Sequence, residues 1–344
     1  MQPWLVVLAL PFCLHSASSR ESRTFPCPEH DAILPCVCNH EAAIDEVHVD
    51  CSEATTSTQI LTAFHEGFWP FDNLTEFRLK GYRKVSEIPE EIFGYVSFRR
   101  IFVETTDVVF VDQSAFLSCR DDLAHLSFWY GHLERFPWQS LPQFVSLAIL
   151  NLEFNEITAI DSFESPSLVT LRVSNNRIAT LKTGISAPNL NALIMNNNPI
   201  STIPSRFFEG MENLEEFQCQ WCNLGPAISD GSMEFRSQTL KSVYLRNNII
   251  SSFEPGGISV VSPDAVVDLE ANQITELTES IFRPVMDFLA RGNGLLNVWD
   301  NPIVCGCSMA WVMLDPIILE RVYGSCVNGT LFQELDPHHF EAFC

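Results

Sequence analysis

The stretch Leu147-Ala148-Ile149-Leu150-Asn151-Leu152-Glu153-Phe154-Asn155-Glu156-Ile157 decides the fold. Apolar residues stand at its first, fourth, sixth and eleventh positions, and an asparagine stands at its ninth. The pattern returns through Leu168, Leu171, Val173, Asn176 and Ile178, and again through Leu190, Leu193, Met195, Asn198 and Ile200. Later copies run through Leu240, Val243, Leu245, Asn248 and Ile250, and through Val267, Leu269, Asn272 and Ile274. Weaker copies begin at Leu74, Phe98, Leu123, Leu214 and Val285. About ten repeats, each roughly 21 to 26 residues long, are therefore expected over 74–299.

The spacing has a physical reading. Alternating apolar residues make a short strand with one face inward. Strands from successive repeats stack in parallel and line the inner side of a horseshoe. The ninth-position asparagine turns the chain out of the strand, and its amide satisfies backbone groups that the turn would otherwise bury unpaired. The expected class is α/β: a leucine-rich-repeat solenoid with a concave parallel sheet and an irregular or short-helical convex side. Ordinary parallel α/β units are disfavoured, because the connections are too short for full crossover helices. Tyr82, Thr106 and Gly131 hold the asparagine position in the first three repeats, so these are expected to be less regular. Phe93, Phe116, Phe208 and Phe282 recur in the outer arcs and read as a second apolar spine.

A solenoid leaves two open apolar ends that need covering. Cys27, Cys36, Cys38 and Cys51 lie before the first repeat, and Cys305, Cys307, Cys326 and Cys344 lie after the last. The expected division is a linker and N-terminal cysteine cap over 19–73 and a C-terminal cysteine cap over 300–344. Zinc is the rival for such clusters, and spacing alone does not choose among disulfide connectivities. Cys119, Cys219 and Cys222 are left over. Cys219-Gln220-Trp221-Cys222 looks like a redox motif, but residues three apart on a strand are about 10 Å apart, beyond disulfide reach. Buried thiols are expected there. Cys119 is either free or paired between chains.

The run Asn301-Pro302-Ile303-Val304-Cys305-Gly306-Cys307, with Trp311 after it, resembles the C-terminal cap of extracellular leucine-rich-repeat proteins. The N-terminal set resembles their N-terminal cap. That resemblance implies the pairs Cys27–Cys38, Cys36–Cys51, Cys305–Cys326 and Cys307–Cys344. Val49-Asp50-Cys51-Ser52, Leu224-Gly225-Pro226, Val243-Tyr244-Leu245, Asn328-Gly329-Thr330 and Leu335-Asp336-Pro337 resemble a crustacean leucine-rich-repeat family. That family includes the non-catalytic subunit of Oplophorus-luciferin 2-monooxygenase. The resemblance implies a chain that accompanies a small separate catalytic chain and contributes no active-site residues.

Residues 1–18 read as a signal peptide: an apolar core runs from Trp4 to Leu14, with small residues after it. The core is too short to span a bilayer, and no hydrophobic tail precedes Cys344, so secretion without a membrane anchor is expected. Cys13 would leave with the signal. Twelve cysteines suit an oxidising compartment. Asn73-Leu-Thr75 and Asn328-Gly-Thr330 are candidate glycosylation sites. The net charge of −23 argues against nucleic acid and anionic membranes.

No catalytic constellation, cofactor motif or metal set emerges. His65-Glu66 lacks a second histidine at the right spacing, and His338-His339 reads as a solvated pair. The chain reads as non-enzymatic, and a protein is the expected partner. The register places Phe102, Trp129, Tyr130, Phe154, Trp221 and Tyr244 on the concave face, and the copy from Val285 adds Leu289 and Arg291. Over that face the charges nearly cancel, so the acid lies elsewhere. Exposed aromatics with little net charge suit protein binding. The alternative is that the rings merely cover strand edges. Tyr130 and Phe154 hold the same position in consecutive repeats and should be neighbours, with Trp129 beside them. Phe102 should join them, with Arg100, Glu104 and Glu153 as a polar rim.

Overall fold

The computed structural model describes residues 26–81 and 85–344. The signal segment expected at 1–18, with Cys13, and Tyr82 lie outside the described residues.

A thirteen-stranded sheet runs through the molecule with its strands in sequence order. It opens with the hairpin Val37–Glu41 and Glu46–Asp50, which is antiparallel. Every later neighbour is parallel: Asn73–Lys80, Ser97–Glu104, His125–Trp129, Ile149–Asn151, Thr170–Arg172, Ala192–Ile194, Glu216–Gln218, Ser242–Tyr244, Val266–Asp268, Leu295–Asn297 and Val322–Tyr323. Fourth-position residues stand directly beside one another, as in Leu150, Leu171, Leu193, Phe217, Val243, Val267 and Leu296. All are buried. Each repeat thus closes its neighbour's core, which is how a chain of this length avoids one oversized centre.

Strand length follows the ladder residue. Where asparagine is present the strands have three residues, as they do where Cys222 stands. Where Thr106 or Gly131 replaces it they have eight and five. Asn176 shows the mechanism. Its Nδ2 donates to the carbonyls of Leu152 and Val173 at 2.8 and 3.0 Å, and its Oδ1 accepts the N–H of Ile157 at 3.0 Å. Asn155, Asn198, Asn248, Asn272 and Asn301 repeat the arrangement. These carbonyls are buried, so the amide ends the ladder without leaving orphaned groups.

One rung differs. Cys222 stands at the ladder position, and Cys219 stands at the inward sixth position of the same repeat. The two are disulfide-bonded, with Cα atoms 5.5 Å apart. This corrects the expectation of two thiols out of reach. The strand stops at Gln218, and Trp221 adopts φ 57°, so the chain reverses where an extended backbone would have separated the sulfurs. The covalent bond takes over the asparagine's inward tether. The N–H of Ile200 turns to the carbonyl of Asn198 at 2.8 Å, since no amide oxygen is offered to it.

The tenth strand is also shifted from its expected place. Val285 lies in the convex helix Glu279–Leu289, and the strand is Leu295–Asn297, with Leu296 paired to Val267. Apolar residues three and four apart, Phe282, Val285, Met286 and Leu289, are buried on one helix face, and that helical period imitated a repeat. Leu289 and Arg291 therefore leave the concave face. Asn297 and Trp299 replace them, and Asn301 becomes a ladder residue. Elsewhere on the convex side the rings pack, stacked or edge to face, in separate groups: Phe64, Phe93 and Phe116; Trp138 and Phe163; Phe208 and Phe235; Phe253 and Phe282.

Disulfides close both ends, joining Cys27 to Cys38, Cys36 to Cys51, Cys305 to Cys326 and Cys307 to Cys344. Trp311 anchors the C-terminal cap, its indole N–H donating to the Leu277 carbonyl at 2.8 Å. Cys119 is a free, buried thiol whose sulfur accepts the Phe98 N–H at 3.2 Å, so pairing between chains would require it to leave the core. Burial pushes its pKa up to about 11.

Candidate functional site on the concave face

The eighth position of the repeats is a left-handed turn from end to end. Gly81, Thr105, Tyr130, Phe154, Asn175, Asn197, Trp221, Asn247, Ala271 and Asp300 all have positive φ. Glycine and asparagine adopt this conformation cheaply, whereas other side chains meet the following carbonyl, a cost of about 1 kcal/mol or more. The chain nevertheless places aromatics at three of these turns.

Two of the three meet. The rings of Tyr130 and Phe154 are 5.7 Å apart, and Trp129 lies 5.6 Å from Tyr130 and 6.0 Å from Phe154. Tyr130 is 46% exposed and Phe154 40%. Tyr130 and Phe154 line a cavity of about 370 Å³ together with His132, Asn155, Glu156 and Arg177. Glu156 accepts from His132 at 3.0 Å and pairs with Arg177 at 2.8 Å, and these contacts, the histidine first, hold its pKa below the usual range. An apolar triad with a polar, fixed rim is the result.

Phe102 stays apart. Its ring packs edge-on against His125 at 4.9 Å, and burial, aided by Arg100, holds that imidazole's pKa down. Arg100 does not rim the triad either. It points toward the N-terminal cap, bonding Glu46 at 2.7 Å and Glu76 at 3.2 Å, because a nearly buried carboxylate at Glu76 needs a cation. Trp221 is 59% exposed and stands away from the triad, held between the two bonded cysteines. Tyr244 belongs to a second hollow, toward the C-terminal end, with Trp299 and Tyr323. Sequence reasoning missed Trp299, because the helical imitation displaced the tenth register, and Tyr323, because its strand belongs to the cap and not to a repeat. The Asn301 ladder residue was the signal that would have corrected it.

Asn73 and Asn328 are exposed. Asn73 begins its strand, at the end opposite the eighth position. Among the described residues no group of three histidine, cysteine or carboxylate side chains is placed to hold a metal ion, and no helix is long and apolar enough to cross a membrane.

Thirteen strands in sequence order, an asparagine ladder and disulfides at both ends define a leucine-rich-repeat solenoid with cysteine caps. The sequence is 24% identical, over 99% of this chain and 96% of the relative, to the Oplophorus-luciferin 2-monooxygenase non-catalytic subunit of Oplophorus gracilirostris. No family model matches. A chain from the octameric complex of Latrophilin 3, Unc5D and FLRT2 superposes with a TM-score of 0.66 at 18% identity, covering 90% of this chain and 98% of that one. A chain of the Toll–Spatzle complex from Drosophila superposes with a TM-score of 0.55 at 17% identity, covering 82% and 43%. These two likenesses are of fold.

Proposed function

We propose that the chain is a secreted, non-enzymatic binding module that holds a protein ligand at the Trp129–Tyr130–Phe154 triad. The observation that carries this reading is the pair of left-handed aromatics. Asn175, Asn197 and Asn247 stand at the same turn without strain, so the rings at 130 and 154 are kept at a cost to folding. Exposed, pre-packed rings bind with little loss of side-chain freedom. Ten cysteines in disulfides favour an extracellular setting, consistent with residues 1–18 acting as a signal. A glycan on Asn73 would leave the triad open, and one on Asn328 would stand on the C-terminal cap.

A second reading is favoured by the similarity over nearly the whole length of a non-catalytic subunit. Under it, the protein ligand is a small secreted catalytic chain of an oxidoreductase, and this solenoid stabilises it without a cofactor of its own.

A photo-crosslinker placed at Asn175, beside the triad, tests both in native secretion. A discrete adduct that disappears in Trp129→Ala/Phe154→Ala supports the site, and luciferin-oxidising activity in that adduct supports the second reading. An adduct unchanged by the double substitution sinks the site.

A further inference from the structure

The corrected tenth repeat assembles a second hollow of about 380 Å³ on the concave face. Tyr244, Asp268, Asn297 and Tyr323 share one register row across four adjacent strands. Strands stack about 4.8 Å apart, so the backbones of the two tyrosines stand roughly 14 Å apart and their side chains form opposing walls between which a cation fits. Val266 and Leu295 form an apolar strip below that row, and Trp299 stands above it.

The polar groups between the walls are already arranged. The Asp268 carboxylate is buried, and it accepts from Arg246 Nε, from Asn297 Nδ2 at 3.1 Å and from the Glu270 N–H at 3.1 Å. Arg246 also pairs with Glu270 at 2.9 Å. The guanidinium edge is thus spent on two carboxylates, leaving no bidentate docking point for an anion. One position beyond Trp299, Asp300 is exposed and forms no ion pair among the described residues. With Arg246 and Arg321 set against Asp268, Glu270 and Asp300, the local balance is slightly acidic, on a chain whose net charge is −23.

We infer that this hollow takes an arginine or lysine side chain from a protein segment, with the rings of Tyr244, Trp299 and Tyr323 receiving the cation and Asp300 and Glu270 edging it. Ring faces carry negative potential and attract cations, the surrounding charge draws a basic segment in from a distance, and the apolar strip accommodates an aliphatic stem. This rests on the reading of the chain as a protein-binding module and adds the chemistry of the partner: aromatic-seeking at one end of the face, basic at the other.

The test uses the full mature chain and fluorescent hexa-arginine amide as the probe, read by anisotropy at near-physiological salt. Tyr244→Ala/Trp299→Ala is expected to weaken binding about tenfold. Asp300→Asn is expected to weaken it about threefold. Asparagine suits the left-handed turn, so that variant removes charge without disturbing the backbone. Trp129→Ala/Phe154→Ala is expected to leave the peptide's affinity unchanged, so the triad and the hollow fail or stand separately. Tyr323→Ala, on a half-exposed ring, replaces the double variant should the latter misfold. Equal affinity in all groove variants would mean general attraction to an acidic chain and would overturn the inference. So would tight, salt-independent binding of cellohexaose in place of the peptide.

Discussion

Tyr130 and Phe154 occupy the same left-handed turn of consecutive repeats, with ring centroids 5.7 Å apart. The relationship sets function against stability at a defined place. Replacing both by asparagine relieves about 1 kcal/mol of backbone strain at each and forfeits ring contacts of similar size. We expect Tyr130→Asn/Phe154→Asn to leave the thermal midpoint unchanged or raised, and to weaken partner capture at least tenfold. A lowered midpoint with intact capture would mean the rings are there to cover the strands.

The ladder gives a stability prediction of the opposite kind. Asn176→Ala strands two carbonyls and one N–H in the core, and buried unsatisfied groups cost about 1–3 kcal/mol each. Urea unfolding should show a loss of at least about 2 kcal/mol. The neighbouring Asn175→Ala, on the half-buried turn, should cost no more than about 1 kcal/mol. Equal losses at the two sites would refute the ladder's role.

Thiol counting decides the state of the central cysteines. With residues 1–18 removed, the denatured, unreduced chain should release one reactive thiol, that of Cys119. Three would mean Cys219 and Cys222 are reduced. In the native chain Cys119 should resist iodoacetamide at pH 8, since burial raises its pKa to about 11. Its raised folded-state pKa means the contribution is complete below the thiol's ordinary value and is lost as pH climbs toward 11. Stability should therefore fall with rising alkalinity less steeply in Cys119→Ala than in the parent.

Acid should act first at the other end. Arg100's hydrogen bond holds the Glu46 pKa below its usual value. That contribution is present above the ordinary glutamate range and is lost as pH falls through the lowered pKa. Hydrogen exchange at falling pH should show protection lost around Glu46–Asp50 in the parent, and Arg100→Met should have lost part of that dependence beforehand. An unchanged acid profile in the variant would separate the pair from the effect.

Mild reduction should open the molecule from its ends, because the cap disulfides cover the terminal repeat edges. Exchange beginning at the central repeats around Leu171 and Leu193 would contradict this.

Most of the fold was legible because each repeat states its own register. The sixth and ninth positions are read directly from Leu152 and Asn155, and neighbours repeat them. The register failed where two periods overlap: Phe282, Val285, Met286 and Leu289 satisfy a helix and imitate a strand, and only pairing in space separates them. The 219–222 bond was unreadable for a different reason. A distance estimate from extended backbone does not hold across a turn, and the turn at Trp221 is announced by neither glycine nor asparagine. Of the face itself, the triad followed from register alone, whereas the turning of Arg100 toward Glu46 depends on a cap that the repeat pattern does not describe.

The antiparallel hairpin that opens the sheet has a consequence for self-association. A stack of identical steps can in principle be continued by another molecule, so that copies add head to tail into a filament. Here the free edge at one extremity is Val322–Tyr323, running with the repeats, and at the other it is Val37–Glu41, running against them. A second copy meeting the first end to end finds a strand of reversed direction, so the parallel pairing of the repeats does not carry across the junction, which can be joined only as an antiparallel pair. Five residues thus suffice to break the parallel register of the stack at one extremity.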